Sequence, residues 1–137
     1  VIGNGPDHQK LLEIANGNKN ITFVTNASDK EVADYLKKAK GFIFAGIDDF
    51  GIAPVEALAS GTPVIAFNKG GALDYIKNKE NGILFNKQNV ETLKEAIKEF
   101  NTLSFDQQKV AKTADRFSEK QFKDNIIKFI KDCLSKK

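Results

Sequence analysis

Apolar positions along the chain keep two alternating rhythms. Four short runs have the β-branched and aromatic content of strands: Ile21-Thr22-Phe23-Val24, Gly41-Phe42-Ile43-Phe44-Ala45, Pro63-Val64-Ile65-Ala66-Phe67 and Gly82-Ile83-Leu84-Phe85. Between them apolar residues recur at the three-to-four spacing of a helix. Residues 6–16 predict one helix, with Pro6 in its first turn, Leu11, Leu12, Ile14 and Ala15 on one face, and Gly17 as the stop. Ser28 and Glu31 form a capping box before the stripe Val32, Tyr35, Leu36 and Ala39. A short helix over 54–59 ends at Gly61, and 72–77 reads as a helical turn.

Past Phe85 the rhythm is only helical. Leu93, Ala96, Ile97 and Phe100 mark a helix over 90–100, and a second is predicted from Ser104 to about Asp115. Ser118 and Gln121 open a C-terminal helix over 118–135, with Phe122, Ile126, Phe129, Ile130 and Cys133 as the face expected to pack. The strand at 41–45 has no polar face, so burial on both sides is expected, as in a parallel sheet covered by helices. The whole pattern predicts an α/β fold, a Rossmann-like parallel sheet with flanking helices, whose ligands bind beyond the carboxyl ends of the strands.

Composition narrows this picture. At 137 residues, 41% hydrophobic and 28% charged, the chain suits a single domain with one core. No apolar run approaches the ~18 residues of a membrane span, and no signal-peptide pattern opens the chain. There is no Met, and the chain opens on Val1-Ile2-Gly3, the tail of an apolar strand, so an excised fragment is expected. Lys and Arg exceed Asp and Glu by 21 − 18 = 3, Arg116 is the sole arginine, and Lys136 and Lys137 supply two surplus charges. The even scatter of lysine argues against a nucleic-acid partner. Cys133, at helical spacing from Ile126 and Ile130, reads as a buried apolar residue. With His8 far from it, and expected at the surface, no metal cluster is predicted.

Residues 45–61, Ala45-Gly46-Ile47-Asp48-Asp49-Phe50-Gly51-Ile52-Ala53-Pro54-Val55-Glu56-Ala57-Leu58-Ala59-Ser60-Gly61, exceed what folding needs. Two acids stand at a strand's carboxyl end. Gly51 permits a tight turn or close approach of a ligand. The amides of Phe50, Gly51 and Ile52 then sit at a helix N-terminus, a ready phosphate site. Carboxylates accept hydrogen bonds from paired hydroxyls, as on a sugar or a ribose. Asp48 and Glu56 with amides between them could therefore grip a nucleotide sugar. Folding alone offers another account, with Asp48 and Asp49 favouring the helix dipole and Glu56 solvated.

The segment resembles the E-x7-E motif of retaining glycosyltransferases of the GT-B fold, family GT4. Asp48 and Glu56 occupy the two acidic positions, Phe50-Gly51-Ile52 matches F-G-[LI], and Val55 to Ala66 matches x-E-A-M-A-x-G-x-P-V-I-A. Gly70-Gly71 with Asp74, Gly82-Ile83-Leu84, and Ile2-Gly3-Asn4-Gly5-Pro6 match further family motifs, so the likeness runs from residue 1 to about 119. The resemblance implies the C-terminal, donor-binding half of a two-domain enzyme. It assigns Asp48, Phe50 and Gly51 to the donor sugar, Gly51, Ile52 and Ala53 to the phosphates, and Glu56 to the ribose. Val24, Thr25 and Asn26 would lie beside the nucleobase. No nucleophile, metal or cofactor is implied. Asp48 departs from the family's Glu, while the Asp-Asp-Phe-Gly-Ile context looks closest to the mannosyltransferase branch. GDP-mannose is thus the first expected donor and a UDP-hexose the second.

The same resemblance implies that the family's Arg strand and nearby Lys precede the equivalent of Val1. In the strand order 3-2-1-4-5-6 that absent first strand is central, so strands 2 and 4 are expected to lack their partner. Arg116, near the C-terminal helices, is not expected to replace the missing Arg. An acceptor glycan or lipid would bind the absent N-terminal half, in the cytoplasm or at the inner face of the membrane, and this piece alone is expected to be inactive. The alternative is a non-catalytic nucleotide-binding or flavodoxin-like signalling domain with Asp48 and Asp49 as phosphoacceptor site. It lacks a suitable lysine, since Lys69 sits in a glycine turn.

Overall fold

The computed structural model describes residues 1–135, so Lys136 and Lys137 lie outside the described residues. The chain divides into two compact units, Val1–Tyr35 and the remainder from Leu36 onward.

In the first unit, Val1–Gly3 runs parallel to Thr22–Val24. The Val1 amino group donates to the Thr22 carbonyl at 2.7 Å, and Val24 N–H to Val1 and Gly3 N–H to Val24, both at 2.9 Å. Two segments this short close a single bridge, Ile2 to Val24, rather than the strand expected at 21–24. Helix α1, His8–Ala15, is shorter than the predicted 6–16. It stops one residue early, because Asn16 itself takes the left-handed conformation (φ 44°) and donates to Leu12 and Glu13. His8 is half-buried rather than at the surface, edge-on to Phe23 with ring centroids 5.6 Å apart. The predicted apolar face of α1 is exposed at Leu11, Leu12 and Ile14, and no residue of this unit is buried. Helix α2, Asp29–Lys38, starts at the expected capping box. Glu31 accepts from Ser28 N–H at 2.8 Å and from its hydroxyl at 2.7 Å, and these bonds hold the Glu31 carboxyl below its ordinary pKa.

The second unit is built on a parallel sheet of β1 (Phe42–Phe44), β2 (Val64–Phe67) and β3 (Gly82–Phe85) in that order. Register pairs Phe42 with Val64 and Val64 with Gly82. Val64, Ile65 and Ala66 on the central strand are all buried, as an uninterrupted apolar strand should be. β1 departs from that expectation. Ile43 is 48% exposed, because the face that carries it lies uncovered among the described residues. Ile65, Ile83 and Phe85 pack with Ala96 and Phe100 of α5 (Val90–Thr102). Burial of each such large side chain contributes roughly 1.5–3 kcal/mol.

Buried polar groups join the layers. Thr62 donates to the Leu36 carbonyl. Asn81 is fully buried, donating to the Tyr75 carbonyl at 2.9 Å and to Thr113 Oγ1 at 2.8 Å, and accepting from Lys77 N–H at 2.8 Å. Helix α6 begins at Gln107, not Ser104, because Asp106 is the true N-cap and accepts from Gln108 and Lys109 N–H. A 3₁₀ turn over Asp115–Phe117 leads into α7, Glu119–Leu134, capped by Ser118. The face of α7 expected to pack is instead exposed at Phe122, Ile126, Phe129 and Ile130, and Cys133 is exposed too. Helical spacing identifies an apolar side but not what covers it. Among the described residues no helix is long and apolar enough to cross a membrane.

Candidate donor-binding site

The site grows from the carboxyl end of β1. The chain leaves Phe44, loops through Asp48 and Asp49, and enters α3 (Ile52–Ala59), two residues ahead of the predicted start at Pro54. Gly51 is the N-cap at φ 82°, a left-handed conformation that favours glycine, and no side chain caps the helix. The N–H groups of Phe50, Gly51, Ile52 and Ala53 donate to nothing among the described residues. Pro54 brings no N–H of its own to this first turn. The result is an open set of amides on the positive end of a helix dipole, worth about 0.3–1 kcal/mol to a nearby exposed anion. The other end is closed: Gly61, at φ 82°, donates to Leu58 at 2.8 Å and Thr62 to Ala57 at 2.9 Å, which fixes the helix length.

The loop before α3 rests on the Gly70-Gly71 turn. Gly71 N–H donates to the Asp48 carbonyl at 2.8 Å. A Cβ on Gly70 would stand 2.6 Å from the Asp48 carbonyl oxygen, and one on Gly71 2.6 Å from that of Asp49 and 2.7 Å from that of Phe50. Only glycines permit this approach. The turn leads into α4, Ala72–Tyr75, whose Tyr75 ring is buried beneath Gly51.

Asp48, Asp49, Phe50, Ile52, Ala53 and Glu56 are all exposed, Gly51 is buried, and none of the three carboxylates is in an ion pair among the described residues. The loop and the first turns of α3 thus carry Asp48, the free amides and Glu56 within one continuous segment. Val24, Thr25 and Asn26 belong to the first unit, where Val24 makes the bridge to Ile2. Sequence reasoning missed two neighbours. Tyr75 lay unnoticed in the helical turn predicted over 72–77. Arg116, set aside with the C-terminal helices, reaches the Asp74 carbonyl and lies 4.5 Å over the Phe117 ring, which meets Phe50 edge-on at 5.7 Å. Phe50, Arg116, Phe117, Phe122 and Ile126 line a groove of about 300 Å³. No local pattern announces a contact that forms across 42 residues of chain.

Residues 1–124 match the sequence profile of the family described as glycosyl transferases group 1. The chain belongs to the glycosyl transferases group 1. Membership sets aside the signalling alternative. An alpha-1,3/1,6-mannosyltransferase of Rhizomucor pusillus is 37% identical over 65 residues, 47% of this chain and 14% of that protein. Among solved structures, the apo form of the lipopolysaccharide outer core galactosyltransferase WaaB superposes with a TM-score of 0.77 at 18% identity, covering 93% of this chain and 39% of that one. HepE of Anabaena, in complex with UDP and glucose, gives a TM-score of 0.59 at 23% identity, covering 93% and 35%. These structures share the fold with this group 1 glycosyl transferase chain, which spans well under half the length of each relative.

Proposed function

We propose that this chain is the donor-binding part of a retaining hexosyltransferase, which moves a hexose from a nucleoside diphosphate sugar to an acceptor hydroxyl. The uncapped N-terminus of α3, flanked by exposed Asp48 and Glu56, carries the reading. Asp48, with Phe50 and Gly51, receives the donor sugar. The Gly51, Ile52 and Ala53 amides receive the diphosphate, and Glu56 accepts from the ribose hydroxyls. As the glycosidic bond breaks, negative charge grows on the leaving diphosphate. Fixed amides on a helix dipole stabilise that charge without reorganising, so the contribution is electrostatic and needs neither metal nor cofactor. Neither Asp48 nor Glu56 is given the part of a nucleophile.

The mannosyltransferase relative favours mannose, and GDP-mannose is the first donor to try. UDP-hexoses come second, in keeping with the galactosyltransferase and the UDP complex among the structural neighbours. A glycan or lipid-linked acceptor would be held outside these residues, in the cytoplasm or at the inner face of a membrane. Calorimetric titration of the full chain with GDP-mannose, UDP-glucose and GDP tests the reading. One nucleotide sugar should bind, and Glu56→Ala should weaken it tenfold or more, as loss of paired ribose hydrogen bonds to a carboxylate requires. A folded protein that binds no nucleotide would overturn it.

A further inference from the structure

Tyr75 carries a buried polar atom with no partner among the described residues: its hydroxyl. The residue is 3% exposed. Its Oη stands 2.3 Å, and its ring Cζ 3.1 Å, from the place a Cβ on Gly51 would take. The phenol therefore fills the underside of the α3 N-cap, in the space that any other residue at 51 would claim. The other end of α4 is tied to the same loop through the bond from Gly71 N–H to the Asp48 carbonyl. A buried hydroxyl without a partner lowers stability, and one at the foot of a ligand site calls for an explanation.

The group is a donor in waiting. Burial first, then the charges of Asp48 and Asp74, push the phenol pKa upward, so the proton stays on Oη in neutral solution. Asp48 and Asp74 are the two carboxylates whose charge bears on it. Asp74 is the poorer acceptor, because adjacent helix residues do not face each other. Asp48 lies on the loop that α4 already supports.

We propose that Tyr75 is a positioning residue for the donor sugar: when a nucleotide sugar orders the Asp48–Gly51 loop, the Tyr75 hydroxyl donates to the Asp48 carboxylate and holds it toward the sugar. This rests on the donor-binding reading above. The free chain carries the unpaired hydroxyl, and sugar binding pairs it. Tyr75 acts through Asp48 and touches no reacting atom.

Tyr75→Phe in the full chain tests this by three readings. Thermal unfolding without ligand should show a midpoint equal to or above that of the parent, since an idle hydroxyl is removed. Affinity for the nucleotide sugar should fall about tenfold, the scale of one charge-assisted hydrogen bond. Affinity for the matching nucleoside diphosphate should stay within about twofold, because the α3 amides are untouched. A lowered midpoint would mean that the hydroxyl already has a partner in the free chain, and overturns the proposal. Equal losses for sugar and diphosphate would place its action on the phosphates, and unchanged affinity would make it idle; either result overturns it. A parent that binds neither ligand fails the donor-binding reading itself, and this inference falls with it.

Discussion

The two units read alike in sequence and differ in what they bury. Both alternate apolar runs with amphipathic helices. From Leu36 onward that pattern yields a core in which Leu58, Val64, Ile83 and Val110 are sealed from water, whereas Val1–Tyr35 contains no buried residue. The difference lies in layering. β2 has a strand on each side and α5 across one face. The first unit has one bridge and the open face of α1. Apolar periodicity supplies a surface to bury, and only a second layer turns that surface into stability.

The sharpest challenge to this contrast is one substitution made in both places. Ile83→Ala, in the sheet core, should cost about 2–5 kcal/mol, read as a lower urea midpoint of the full chain. Ile14→Ala, at a position 70% exposed, should stay within about 0.5 kcal/mol. Equal costs would show a core in the first unit as well.

A smaller effect is expected at the site. Gly51→Ala should lose about 1–3 kcal/mol, since its φ of 82° strains any side chain and the new Cβ meets the Tyr75 hydroxyl. Adding Tyr75→Phe removes the 2.3 Å approach and should restore part of the loss. No restoration would mean that the strain is in the backbone alone.

The smallest effect belongs to α2. Folding holds the Glu31 carboxyl below its unfolded pKa, so its contribution is present above the ordinary carboxylate range and is lost as pH falls through the lowered value. The gap in unfolding midpoint between parent and Glu31→Gln should therefore close on acidification from neutral pH. A gap that persists unchanged at pH 2 would count against the capping box.

Much of the second unit was legible because its signals are local. Gly61 terminates α3, Ser118 caps α7, and apolar strands at 64–67 and 82–85 need no distant information. The loop acids, Gly51 and Glu56 stand out in the sequence because their spacing is short, and the structure sets Gly51 at the N-cap of α3 between them. Asp106 displaced Ser104 as a cap because both residue types can serve, and backbone geometry chooses between them. Ile43, Cys133 and the face of α7 were read as packed because periodicity cannot report cover. Tyr75 and Arg116 were missed because their partners lie 24 and 42 residues away.

The seating of Gly70-Gly71 on the carbonyls of residues 48–50 has a consequence for descent. Two stretches some twenty residues apart in the chain share one contact surface that leaves no room for a methyl group. A lineage that reshapes the Asp48–Gly51 loop must reshape the glycine turn with it, so the loop can change its backbone course only by paired steps.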